Sequence, residues 1–215
     1  MAKNFVSNKK ETPRMFESDF IEFFSKVHPS VPVIIYVPVI SYLFYMGISA
    51  GITVVTVVLL VAAGFILWQI AEYAIHRFLF HFEFESKLGK RFHFIVHGVH
   101  HDYPSDPLRL VMPPSVSIPL ALLLYFVFGV IIGKPLMFPF YAGFVGGYLF
   151  YDMTHYAIHH FRIKSKFWLA IKHHHMKHHF QTDKAGYAIS LPFFDKVFGS
   201  DFHDDNNINH MTTVK

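Results

Sequence analysis

Residues 52–71 read ITVVTVVLLVAAGFILWQIA, twenty positions with no charged side chain. A helix that crosses the hydrocarbon core of a bilayer needs about 20 apolar residues, with about 17 as the lower bound. This run meets that length outright. A helix of a soluble domain carries a polar stripe at helical spacing, and none is present here. Three further apolar runs accompany it: 31–47 (VPVIIYVPVISYLFYMG), 116–132 (VSIPLALLLYFVFGVII) and 136–151 (LMFPFYAGFVGGYLFY). Each is free of charge and can extend by a turn. ISAG joins the first run to the second and GKP joins the third to the fourth, so the spans form two helical hairpins. Of 19 Lys and Arg, only Lys134 falls on the hairpin-loop side; the others, with all 15 Asp and Glu, fall on the side of both termini and the 72–115 segment. Positive residues stay in the cytoplasm. The expected fold is therefore all-α and integral to the membrane, with four transmembrane helices and a cytoplasmic helical cap.

Composition agrees with this reading. The chain has 215 residues, 53% hydrophobic and only 16% charged, with 26 Phe, which is too apolar for an ordinary soluble domain. The formal charge of +4 is scattered rather than laid out as a basic stripe, so nucleic acid is not an expected partner. The chain has no cysteine, which excludes a disulfide framework, a thiolate metal site and a catalytic thiol. The opening MAKNFVSNKKETPR lacks the apolar core of a cleaved signal peptide. Residues 15–28 carry Phe16, Phe20, Phe23, Phe24 and Val27 at helical spacing, with acids and Lys26 between them. That pattern predicts an amphipathic helix lying in the membrane interface. The expected organisation is a polar segment and interfacial helix over 1–30, a membrane domain over 31–200 and a polar tail over 201–215.

The 17 histidines are the chemical signal. None lies in the centre of a span or in a hairpin loop. The stretch IKHHHMKHHF, 171–180, holds five of them. His155 and His159 stand i, i+4, on one helical face. His175 and His179 repeat that spacing with His178 beside them, and His97 and His101 repeat it with His100. His76 and His81 are five apart and need a helix end or a turn to converge. The four motifs HRFLFH, HGVHH, HYAIH and HMKHH offer ten candidate ligands, all at one membrane face. A structural zinc site needs four; ten suit two metals of about five each. Imidazole suits zinc, copper, iron and nickel. There is no Glu-x-x-His of the carboxylate-bridged di-iron type. An unactivated C–H bond needs a high-valent metal–oxygen species, with the protein supplying ligands, placement and a dry cavity. His28, His203 and His210 fall outside the pattern. His93, His160, His173 and His174 either orient ligands or face solvent. Arg109 and the VMPP after it either shape a substrate entrance or form a surface loop with a snorkelling Arg.

These motifs resemble the fatty acid hydroxylase superfamily, which includes sterol desaturases, sterol C4-methyl oxidases and carotene hydroxylases. HGVHHDYPSDPLRLVMPP (97–114) resembles the HGxHH-to-RLVxPP stretch of the fatty acid 2-hydroxylase branch. GYLFYDMTHYAIHH (147–160) resembles its GYxxYDxxHY stretch, and IKHHHMKHHF with the following GYAIS and FFDKVFG resembles its C-terminal signature. The resemblance covers roughly residues 70–200. It implies O2-dependent hydroxylation at C2 of a fatty acyl chain, free or in a sphingolipid or ceramide. It implies two irons, often replaced by zinc in purified material. The family ligands fall on His76, His81, His97, His100, His101, His155, His159, His175, His178 and His179. Eukaryotic members usually carry an N-terminal cytochrome b5 domain. The region before the first span is too short for one, so the expected electron donor is a separate protein, cytochrome b5-like or ferredoxin-like. The expected location is a bacterial inner membrane or the endoplasmic reticulum, with both termini and the metal site cytoplasmic. A related oxidase acting on a sterol, carotenoid or sphingoid base is the alternative within the class. A metal transporter or sensor is the alternative outside it. Transporters place ionisable ligands near the bilayer midplane, where these spans have none.

Overall fold

A computed structural model describes residues 5–202, and among these there is no strand. The short α1 (Asp19–Phe24) precedes α2 (Ser30–Ser49) and α3 (Val54–Ile75). Helix α3 runs on into a π-helical turn at His76–Phe80. Then come α4 (Lys87–His93), a second π-helical turn at Phe94–Gly98 and α5 (Val99–Asp102). Helices α6 (Pro114–Ile132), α7 (Met137–His160), α8 (Lys166–Phe180) and α9 (Phe193–Val197) complete the described chain.

Three stretches are long and apolar enough to cross a membrane: Ser30–Ser49, Val54–Phe80 and Pro114–Ile132. Their apolar side chains point mostly outward; Val130 is 87% exposed and Val54 75%, as lipid-facing positions are. The fourth expected span, within α7, differs in character. Its 24 residues end in Asp152, Thr154, His155, His159 and His160, which lowers its overall apolarity. Yet α7 is the most buried helix and packs against α2, α3 and α6. Its core partners are Tyr36, Leu43 and Trp68, with Tyr141, Phe144 and Tyr148 on its own faces.

The α3–α7 contact is a meeting of two backbones. A Cβ on Gly64 would stand 2.0 Å from the Phe140 carbonyl oxygen, and a Cβ on Gly143 2.0 Å from that of Val61. One turn further, a Cβ on Gly147 would meet the Trp68 Cβ at 2.6 Å. Small residues allow such close approach in lipid, where helices associate through packing rather than through the hydrophobic effect. The obstacle at Gly143 is main chain, so no side-chain rotation relieves it.

The N-terminal segment departs from the expected helix over 15–28. Only Asp19–Phe24 is helical, capped by Ser18, whose Oγ accepts from the Ile21 amide. Residues 15 and 16 cannot join the helix because their amides are turned onto the Glu22 carboxylate, at 3.1 and 3.2 Å. Glu22 also pairs with Lys26 at 2.9 Å and with Arg109 at 2.6 Å. Burial pushes its carboxyl up, but the Lys26 bond, the two amides and the Arg109 charge outweigh this and hold it at about 2. Arg109 thus does not snorkel. It is buried and binds the N-terminal segment to the loop before α6, with Ser25 Oγ at 2.9 Å as a further acceptor. The apolar members split: Phe20 and Phe23 are each 73% exposed, while Val27 is buried.

The Gly64–Gly143 crossing yields a test. Gly143→Val should destabilise the detergent-solubilised protein by about 1–3 kcal/mol, the usual cost of overpacking. Gly146→Val, where a Cβ meets nothing within 4 Å, should be nearly neutral. Thermal unfolding of the two variants side by side checks this.

Candidate metal centre

All ten histidines picked from spacing converge, in two groups of five. One contains His76, His81, His97, His101 and His178; the other His100, His155, His159, His175 and His179. In each group the ring nitrogens lie within 4.8 Å of one another. Four structural devices produce this. The first is the π-helical turn after α3, where the His81 amide bonds the His76 carbonyl at 3.1 Å. This i→i+5 pattern brings residues five apart onto one face, which a regular α-helix would not. The second π-helical turn leads into α5 and presents His97, His100 and His101. The third is the end of α7, with His155 and His159 one turn apart. The fourth is α8, held on α7 by Ile158, Ile171, Ile189 and Trp168, so that His175 and His179 meet His155 and His159.

Each triple motif is divided between the groups. His97 and His101 enter the first group and His100 the second; His175 and His179 enter the second and His178 the first. The two groups touch where the His101 and His179 rings stack, with centroids 4.2 Å apart.

The distances suit a cation at each focus. In the first group, successive Nε2 atoms of His101, His97, His76, His81 and His178 are 2.9, 3.0, 3.2 and 3.0 Å apart. In the second, His175 Nε2 has three such neighbours, His155 and His159 at 2.9 Å and His179 at 3.0 Å. One ring nitrogen carries either one proton or one lone pair, so it cannot hydrogen-bond all three. A metal–imidazole bond of about 2.0–2.1 Å puts two nitrogens bound at right angles about 3.0 Å apart. His100 Nε2 is buried and has no hydrogen-bond partner among the described residues; its ring lies parallel to that of His175, centroids 6.4 Å apart.

Protonation points the same way. His76 Nδ1 donates to the Tyr187 carbonyl at 2.5 Å and His178 Nδ1 to the Ala185 carbonyl at 2.7 Å. A carbonyl only accepts, so each proton sits on Nδ1 and each Nε2 lone pair faces the focus. Burial, reinforced by the neighbouring imidazoles, holds His97, His100, His101, His175 and His179 well below the usual histidine range. Burial, then the His178 and His101 charges, holds His81 at about 2. Neutral imidazole is the metal-binding form.

The remaining histidines fall elsewhere. His28 is exposed and bonds Ser30. His173 is exposed, and His160 stacks on Tyr156, centroids 4.4 Å apart. His93 lines an open cavity of about 730 Å³ with His81, Glu83, Lys90, Asp183 and Tyr187. His174 pairs with Asp195 at 2.9 Å. His203 and His210, with nearly all of the 201–215 tail, lie outside the described residues. Sequence reasoning missed Asp195, which is fully buried. FFDKVFG was noted only as a signature, and no spacing rule ties its Asp to a histidine. Glu72, in the last turn of α3, likewise carries no sequence signal of its partners.

Comparison with known proteins agrees with this geometry. The profile of the fatty acid hydroxylase family matches residues 61–200. A dihydroceramide fatty acyl 2-hydroxylase of Arabidopsis thaliana is 39% identical, over 88% of this chain and 80% of its own length. A fatty acid 2-hydroxylase of Homo sapiens is 38% identical over 86% of this chain, and the match spans 55% of that longer protein. The solved structure of scs7p, in which only the hydroxylase domain is visible, superposes with a TM-score of 0.78 at 33% identity, covering 87% of this chain and 71% of that one. The chain belongs to the fatty acid hydroxylase family.

Proposed function

We propose that the chain is an O2-dependent membrane monooxygenase that hydroxylates a fatty acyl chain at C2, as a free acid or as the N-acyl group of a sphingolipid or ceramide. The observation that carries this is the pair of five-histidine groups at one end of a bundle of apolar helices. The relatives named for 2-hydroxylation support the position of attack. The ten histidines would hold two irons, with zinc able to replace them in purified protein. Bound iron would supply the O2 chemistry that no side chain provides. The chain's own share is to present ten neutral Nε2 donors, to fix the tautomers of His76 and His178 through carbonyls, and to keep water from the site by burial.

In this reading α2, α3, α6 and α7 all cross the bilayer. Helix α7 spans because its neighbours enclose it; at 1.5 Å per residue its 24 residues reach about 36 Å, against a core of about 30 Å. Both termini, the cap and the metal centre are cytoplasmic, on the distribution of Lys and Arg. Residues 1–30 form an interfacial segment, with Phe20 and Phe23 toward lipid, and 31–200 the hydroxylase domain. Electrons come from a separate cytochrome b5-like or ferredoxin-like protein.

Expression in a host that makes no 2-hydroxy lipids, followed by mass spectrometry of extracted lipids, tests the reaction. Acyl chains with one added oxygen at C2 are expected; a hydroxylated sterol or carotenoid with no 2-hydroxy acyl product overturns the substrate assignment. His155→Ala and His178→Ala should each lose a metal and nearly all hydroxylation while the protein stays in the membrane. Normal turnover in either would show the ligand assignment to be wrong. Acid should also act on the metal-free protein. The buried imidazoles have folded pKa values below the ordinary 6.5, so below that pH the unfolded chain binds protons the folded chain refuses. Their contribution to stability is present above 6.5 and lost as pH falls. The unfolding temperature of metal-free protein should drop between about pH 7.5 and 5.5, and saturating zinc should shift the drop to lower pH.

A further inference from the structure

Two buried carboxylates outside the histidine groups converge on one short segment. Four consecutive amides, Tyr187 to Ser190, all point at them. Tyr187 N donates to Asp195 Oδ1 and Ala188 N to Asp195 Oδ2, both at 2.9 Å. Ile189 N and Ser190 N both donate to Glu72 Oε1, also at 2.9 Å. Asp195 accepts Ser200 Oγ at 2.8 Å as well. The segment has little freedom left: Ala188, Ile189 and Ser190 are buried. At Gly186, in the left-handed region with φ 74°, a Cβ would strike the Phe202 ring. The Tyr187 carbonyl and that of Ala185, two residues before it, accept from the metal centre, from His76 and His178 respectively.

We propose that Glu72 and Asp195 are positioning residues that hold residues 187–190 in place, so that the Ala185 and Tyr187 carbonyls fix the ring orientation and tautomer of His178 and His76. Both of those histidines belong to the first group. In the second group His175 Nδ1 and His179 Nδ1 are buried without hydrogen-bond partners among the described residues, and the backbone bond of His159 is made at Pro104, outside residues 187–190. The carbonyl bonds held by the two carboxylates therefore end on ligands of the first group; toward the second, the same segment offers only the packing of Ile189 on Ile158 and Ile171, and Asp195 its bond to His174. The partners of a ligating histidine commonly change metal affinity by about 10–100-fold when removed.

The two acids differ in a way that sharpens the test. Asp195 uses both oxygens for backbone amides, so Asp195→Asn turns an NH2 toward an amide N–H. Glu72 uses one oxygen for both of its amides, so Glu72→Gln keeps the acceptor while Glu72→Met removes it. The inference rests on the reading of the histidine groups as metal sites. Zinc affinity is measured by chelator competition on the full chain in detergent, in two backgrounds: His159→Ala, which leaves the first group intact, and His81→Ala, which leaves the second. In the first background, Asp195→Asn and Glu72→Met should weaken zinc binding by about 10–100-fold, with Glu72→Gln within about threefold of its parent. In the second background all three should stay within about threefold of their parent. The d–d absorption of cobalt in the first group should change in the same order. Unchanged affinity in both backgrounds overturns the proposal. So does an equal loss in both, which general unfolding would also produce, or Glu72→Gln as damaging as Glu72→Met. If the unsubstituted chain takes up no metal, the reading beneath it fails too; if it takes up two and the variants are silent, this inference alone fails.

Discussion

Ten imidazole nitrogens, seven of them on buried rings and three on half-buried ones, face each other at about hydrogen-bond distance and cannot satisfy one another, and the cap is arranged around that constraint. Buried polar atoms need partners. A nitrogen with three neighbours near 3 Å has none it can serve in full. A cation at each focus resolves this, because a lone pair is then required of every ring. The low proton affinity of these histidines belongs to the same arrangement: a site that refused protons and held no metal would be a pure loss of stability. Much of the cap is therefore best understood as support for ring orientation.

The membrane part meets a different requirement. It must hold the end of α7 still while exposing almost nothing but hydrocarbon. The Gly64–Gly143 crossing does this by bringing two main chains into contact, and the aromatic layer of Trp68, Phe144 and Tyr148 continues it toward the histidines. Polarity rises along α7 from its enclosed apolar turns to His155 and His159. A helix at the centre of a bundle can afford this, because its neighbours, not lipid, surround it.

Three of the four expected spans and the convergence of the ten histidines were legible in the sequence because both rest on local spacing. An i, i+4 pair reports a helical face wherever the helix lies, and the five-residue gap between His76 and His81 announced an irregularity that proved to be a π-helical turn. Two things were not legible. The division of each triple motif between groups depends on how α5 and α8 are rotated, which is a matter of tertiary packing. The roles of Glu72 and Asp195 were hidden because their partners are backbone amides, which leave no trace in residue identity, and because Glu72 meets Ile189 across 117 positions. The helix expected over 15–28 shrank for a related reason. Its apolar residues do not share one face, and Glu22 draws the preceding amides out of helical register.

His100 and His101 are adjacent in the chain, and so are His178 and His179, yet each pair divides between the two groups. A single peptide unit, on each of two independent helices, therefore spans the gap between the foci. Their separation is thus bounded by the reach of two neighbouring side chains, once packing has set the rotation of α5 and α8. A site shared between rigid bodies would breathe with lipid thickness or with movement of the cap. This one carries its own ruler, written twice.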